Sequence, residues 1–227
     1  MKEILSFLRE LSQNNNREWF EQNKERYRSC HATFVIFTEQ LIARLSEIDP
    51  ELQGLTARDC IWRIYRDVRF SLDKRPYKEW FGTFPAAKGG KKSQHAGYYV
   101  HIQPGQCMVS AGIWSPVPDL LRALRREIEA NYEEVEHIIG QPSWQRYFTD
   151  FDEYDMLKKV PVGFDPTFVH AEWLKRKSFT CSTPLTDADV IAPDFLEHVV
   201  DICSAAKPMN DFLNYTFEEY GEFPNRC

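Results

Sequence analysis

Residues 97–114 limit what this chain can fold into more than any other stretch does. From Gly97 to Gln103 the apolar side chains Tyr98, Val100 and Ile102 alternate with Tyr99, His101 and Gln103, the two-residue period of a strand with one buried face. Pro104-Gly105 supplies a turn and Cys107 to Trp114 a returning strand. The segment therefore predicts a β-hairpin.

Helical periodicity flanks that hairpin. Ile4, Phe7, Leu8 and Leu11 fall at i, i+3, i+4, i+7 and predict a helix over the first dozen residues. Asn14-Asn15-Asn16 breaks it, and Asn16 suits the N-cap of a second helix. That helix carries Trp19, Phe20, Tyr27, Phe34, Phe37, Leu41 and Leu45 as core, with an interruption expected near Ser29-Cys30 and an end before Pro50. Trp80 to Phe84 reads as a strand and the Gly/Lys run 86–93 as a mobile solvated loop, with a basic lid over the arginine strand as the alternative. A phosphate-loop reading of that run fails, because Pro85 stands where the first glycine is needed and Lys92 where Ser or Thr is needed.

After the hairpin, Pro118-Asp119 opens a helix with Leu120, Leu121, Leu124 and Ile128 on its apolar face, broken near Asn131 and continued over 132–139. Glu127, Glu129, Glu133, Glu134 and Glu136 read as its solvated face. A helical turn follows over 143–148, then an acidic irregular linker at 149–159. A helix over about 167–176 leads to a strand from Lys177 to Ser182, whose basic start (Lys175, Arg176, Lys177) is open to two readings, an anion site or a complement to the helix dipole. Two terminal helices are expected, 193–206 and 209–220. Helices, then strands, then helices around one more strand predict an α+β fold. Its sheet should be largely antiparallel, with the N-terminal and C-terminal helices on its hydrophobic face. The expectation is one domain over 1–227, with a subdomain boundary, if any, near 149–160.

Cys60 to Tyr77 is the most unusual stretch. It reads as a strand ending in a turn, and carries Arg63, Arg66, Arg69, Lys74 and Arg75 against Asp67 and Asp73. Alternation places Trp62, Ile64, Val68 and Phe70 on a core face, with Arg66 as the one intruder, and Arg63, Tyr65, Asp67 and Arg69 on the other. A guanidinium on an apolar face needs a carboxylate or an anion, or must reach water. Three readings stay open: internal ion pairing, an oxyanion ligand, or an open strand edge. The second makes Arg63, Arg66, Arg69 and Lys74 an anion-binding set, with Tyr77 donating a hydrogen bond. Asp67 and His101 are the candidate acid–base groups, His101 standing beside the Arg63–Asp67–Arg69 row if the strands are neighbours.

Composition excludes several classes. The chain has 227 residues, 43% hydrophobic and 14% aromatic, and a net charge of −6, so it is a globular protein with ample core and is disfavoured as a nucleic-acid binder. No apolar run reaches membrane-spanning length and the N-terminus has no signal-peptide pattern, so the expectation is a cytoplasmic protein without a membrane partner. Six scattered cysteines read as reduced thiols, with Cys227 an exposed end. His95, His101 and Cys107 match no metal-ligand spacing, and no motif calls for a cofactor. The protein partner, if there is one, is left open.

The spacing R-x-x-R-D-x-R-F-x-x-D-K-x-x-Y over Arg63 to Tyr77 resembles the signature of a widespread family of uncharacterised bacterial proteins, a domain of unknown function. The likeness extends to Asn14–Phe20, Gly97–Ile102 and Leu174–Phe179. It implies a shared fold and brings no activity. The functional expectation is a site on the arginine strand for a phosphorylated or carboxylated small molecule. The alternatives are a noncatalytic protein-interaction module with a structural arginine cluster, and single-stranded nucleic-acid binding with Tyr65, Tyr98 or Tyr99 as stacking platforms.

Overall fold

A computed structural model describes residues 1–223. It has the α+β architecture that the element order implies. Helices α1 (Lys2–Gln13), α2 (Arg17–Gln22), α3 (Lys24–Ile48) and α4 (Ala57–Cys60) precede strands β1 (Phe81–Thr83), β2 (Gly97–Ile102) and β3 (Cys107–Ile113). Then come α5 (Pro118–Ala130), α6 (Tyr132–Ile139), α7 (Pro142–Gln145), α8 (Ala171–Leu174), β4 (Phe179–Leu185), α9 (Asp187–Ile191) and α10 (Phe195–Tyr220). The strands form one antiparallel sheet in the order β1-β2-β3-β4. Tyr98, Val100, Ile102, Val109, Ala111, Phe179 and Cys181 lie buried on its inner face, where α10 crosses β3 and packs on α3.

The three consecutive asparagines divide the work of the N-terminal turn. Asn14 Nδ2 donates to the Glu10 carbonyl at 2.9 Å and closes α1. Asn16 Oδ1 accepts from Trp19 N at 3.0 Å and caps α2. Asn15 reaches across the chain: its amide donates to Tyr77 O and Glu79 Oε1, each at 3.0 Å, and accepts from Tyr77 N at 3.2 Å. Asn15→Ala strands part-buried backbone groups of Tyr77, so a loss of about 1–3 kcal/mol is expected. Urea unfolding measures it, and faster proteolysis within 61–80 would place it.

Several expectations need correction. The helical break falls at Asn23, where the side chain donates to Trp19 O, and α3 runs unbroken through Ser29 and Cys30. The last two helices are one: α10 continues through Pro208. Proline there forfeits a helix bond at about 3 kcal/mol, but Ala205, Ala206, Met209, Phe212 and Leu213 on either side are buried, and that packing holds the rod together. Glu127 is buried and accepts from Asn131 Nδ2 at 2.6 Å instead of facing solvent. The helix expected over 167–176 shrinks to the single turn of α8.

The loop 86–93 packs through Ala86, Ala87 and Gly90, all buried; Gly90 fits because an added Cβ would lie 2.7 Å from Asp59 O. Cys30, Cys60, Cys107, Cys181 and Cys203 are buried free thiols, and the expectation for Cys227 lies outside the described residues.

The largest correction concerns the arginine stretch. It is not a regular strand: α4 ends at Cys60, and residues 61–80 form a loose hairpin arm. The arm is tied by the isolated bridges Ile61↔Thr83 and Tyr65↔Tyr77 and by Trp62 N→Gly82 O, Lys78 N→Ile64 O and Arg66 N→Pro76 O. Ile64 is buried, but Phe70 is 95% exposed, so the expected core face stops halfway. Beyond Arg66 no second strand among the described residues pairs with the tip, and the pleat that would enforce alternation is absent.

Candidate functional site

The sheet's outer face holds a cavity of about 850 Å³, a size that suits a small ligand. Its origin is legible in the register. Tyr99 pairs with Ser110 and Ser110 with Ser182, while Gly97 pairs with Gly112 and Gly112 with Thr180. Because side chains alternate along each strand, these residues share the outer face. The one large residue among them, Tyr99, stands on β2, and those on β3 and β4 are small. Serine, glycine and threonine at the centre leave a hollow where the inner face is filled by Val, Ile and Phe.

The β1 side of the hollow is aromatic. Trp62, Trp80, Phe84 and Tyr99 line it. Trp62 stands edge-on to Tyr99 (centroids 5.4 Å, planes at 88°) and to Trp80 (6.2 Å, 74°), arrangements favoured by the ring quadrupoles. The arm therefore contributes through its base, where Trp62 N is held on Gly82 O at 3.1 Å. Lys78 Nζ lies 5.0 Å from the Trp80 ring centroid and donates to Arg63 O.

On the floor, Tyr99 OH lies 2.6 Å from His101 Nδ1, and His101 Nε2 lies 3.1 Å from Gln103 Oε1. A neutral imidazole satisfies both contacts, accepting the tyrosine proton at Nδ1 and donating at Nε2. Burial lowers the His101 pKa and raises that of Tyr99, so neither is charged at neutral pH. Both ring nitrogens are engaged, and any proton relay to a ligand would pass through the Tyr99 hydroxyl.

Burial also lowers His31 and His95 from the ordinary 6.5. Below that pH the unfolded chain binds protons that the folded chain refuses. The contribution is therefore full above 6.5 and is lost as pH falls toward the depressed values. Glu127, raised by burial, has the opposite sign and acts nearer the carboxylate range. Urea unfolding should show lower stability at about pH 5.5 than at about pH 7.5, and His→Gln changes at the three positions should flatten the slope.

Asp152 forms the β4 side. Its backbone N donates to Thr180 O at 2.7 Å, and Oδ2 accepts from Thr180 Oγ1 and Ser182 Oγ, each at 2.7 Å. Arg176, 2% exposed, holds the segment from below: one terminal nitrogen donates to Asp152 O at 2.6 Å and the other lies 3.4 Å from Asp150 Oδ2. Residues read as a linker are thus fastened to the sheet edge. Lys91 and Lys92 complete the rim at the loop before β2.

The cavity therefore lies between an aromatic side and a hydroxyl–carboxylate side, with cations at one rim. Three strand spacings separate β1 from β4, about 14 Å.

None of Arg63, Arg66, Arg69, Lys74 and Tyr77 lines this cavity. Arg66 donates to Asp73 Oδ2 at 2.8 Å and to Arg75 O at 3.0 Å, so a carboxylate meets the intruding guanidinium from within the arm. Arg69 pairs with Asp67 at 2.7 Å, and Lys74 Nζ donates to Val68 O at 3.0 Å. Tyr77, expected at the strand's end, is instead buried, its ring stacked 3.9 Å from Phe20. Arg69 holds Asp67 down to about 2, which makes it a weak base. His101 pairs with Gly82 and Met108, so β1 stands between it and the arm. Lys175 pairs with Glu172, and Lys177 with Asp155.

What sequence reading missed is the set Trp62, Trp80, Ser110, Asp152, Thr180 and Ser182. The small polar residues at alternate positions of β3 and β4 were its only local signal; Asp152 gave none.

No curated protein and no solved structure matches this chain. A family model described as a conserved hypothetical protein, DUF2461, matches residues 3–212, and since that span is most of the 227 residues, the chain belongs to the DUF2461 family.

Proposed function

We propose that the protein binds a small ring-bearing molecule with a carboxylate or phosphate group in the cavity on the sheet's outer face. The observation that carries this reading is the hollow itself. It holds about 850 Å³ above Ser110, Gly112, Thr180 and Ser182, with half-buried aromatic rings on one side and placed polar groups on the other. A flat ring fits against Trp62 and Trp80. Ser110, Asp152 and the Tyr99 hydroxyl offer hydrogen bonds, and Lys92 at the rim complements an anion beside Lys91, whose ammonium donates to the Arg58 carbonyl. The reading is one of binding, with Tyr99–His101 and Asp152 as the groups placed to move a proton.

Thermal shift with adenosine monophosphate, indole-3-acetate and 4-hydroxybenzoate tests it. A ligand at a hundred times its Kd should stabilise the wild type by about 2.7 kcal/mol. The same ligand should lose most of that effect on Trp62→Ala and on Lys91→Ala/Lys92→Ala. Equal shifts in wild type and variants would place binding elsewhere.

A further inference from the structure

Trp62 and Trp80 furnish only one end of the hollow. His101 pairs with Gly82 and Met108, and the Trp80 ring lies 5.1 Å from the imidazole. Trp62 stands against Tyr99, the partner of Ser110. The two indoles are therefore level with Met108 and Ser110. The cavity continues along β3 past Gly112 to Trp114. Trp114 is four residues beyond Ser110 and six beyond Met108. At about 3.3 Å each, that is about 13–20 Å along the strand, more than one flat ring can bridge.

Trp114 makes a second aromatic station at the far end. Its ring lies 4.8 Å from that of Tyr154, with 38° between the planes. Packing on each other still leaves Trp114 58% exposed and Tyr154 60%. Rings left this open contribute little to the core, and Trp114 presents its open surface to the cavity. Tyr154 follows two residues after Asp152, whose carboxylate is held by Thr180 and Ser182, so the site's own β4 side places the pair. Gly97, where β2 begins, pairs with Gly112, and the loop before it brings Lys92 to the rim on the Trp114 side of the indoles.

We propose that the ligand of the hollow carries two flat rings joined through phosphate, the chemistry of a dinucleotide. One ring lies on Trp62 and Trp80, the phosphates meet Lys92, and the second ring lies on Trp114. Stacking on an aromatic side chain accepts any base, because every base has a π-face. The two stations therefore select the number and spacing of rings, not the identity of the bases. The proposal rests on the reading of the hollow as a site for a ring-bearing anion and sets the length of that ligand. A one-ring monophosphate leaves the Trp114 end to water.

Isothermal titration of the full chain with adenosine monophosphate, adenosine diphosphate ribose and diadenosine diphosphate tests it. The last two share both riboses and both phosphates and differ by one base. Diadenosine diphosphate should bind about tenfold tighter or more, the effect of one stacked base. Trp114→Ala should erase that advantage and leave adenosine monophosphate binding unchanged, while Trp114→Phe, which keeps a ring, should retain part of it. The Trp114 side chain is mostly in water, so circular dichroism of both variants should match the wild type. Equal affinity for the two longer probes overturns the two-ring ligand, as does an advantage that survives Trp114→Ala. If adenosine monophosphate still binds in that case and is lost on Trp62→Ala, the hollow stands as a one-ring site. If none of the three binds, the reading of the hollow fails and the two-ring ligand falls with it.

Discussion

Gly112→Ala is expected to cost about 2–6 kcal/mol, a large part of the roughly 5–15 kcal/mol that holds a domain folded. Gly112 has φ +114°, and a Cβ there would lie 2.1 Å from Phe179 O and 2.9 Å from Thr180 Cα. Two terms add: a side chain forced into a left-handed backbone region, about 1–3 kcal/mol, and overpacking against a strand that cannot retreat, about 1–3 kcal/mol. β4 is pinned on its other side by Asp152, so relief by sliding is closed. Gly105→Ala is the control. It too has positive φ (+76°) but nothing within 4 Å, so about 1–2 kcal/mol is expected. Urea unfolding of both variants separates collision from conformation.

The second large effect is at Arg176. Its guanidinium is all but sealed from solvent, with Asp152 O and Asp150 on its terminal nitrogens, and its own carbonyl accepts from Arg125 at 2.7 Å. Breaking a buried pair from one side costs about 3–5 kcal/mol. The Asp150 side chain is 43% exposed, and water screens part of that loss, so Arg176→Met should cost about 2–4 kcal/mol in urea unfolding. Adding Asp150→Asn should recover part of it, because the carboxylate left behind is then neutral. The same variant should also weaken ligand binding, since the Asp152 side of the cavity hangs on this contact.

How much of this was legible in the chain follows from where the determinants lie. The 97–113 hairpin was readable because one buried face forces a two-residue period on it. Asn16 was readable as a cap because capping is local chemistry. The arginine stretch was misread as a strand because β-branched and aromatic residues are common in it. Pairing needs a partner along its whole length, however, and only Ile61–Arg66 has one.

The last two helices merge for the opposite reason: Pro208 disfavours a continuous helix locally, and burial on both sides of the proline outweighs it. The cavity was the hardest to see. It is an absence of volume created by Ser110, Gly112, Thr180 and Ser182, walled by an arm base and a returning segment more than 60 residues apart. Nothing in the run Asp150–Asp155 marks Asp152 as the residue that faces inward.

The hollow over Ser110 and Gly112 is the proposed small-molecule site. Crystals soaked in adenosine monophosphate and in indole-3-acetate measure that directly. Ordered density is expected between Trp62 and Asp152, with the ring against the indoles and the anion toward Lys91 and Lys92. Density that collects instead on Arg63, Arg69 or elsewhere on the arm, with the hollow left to water in every soak, would contradict it.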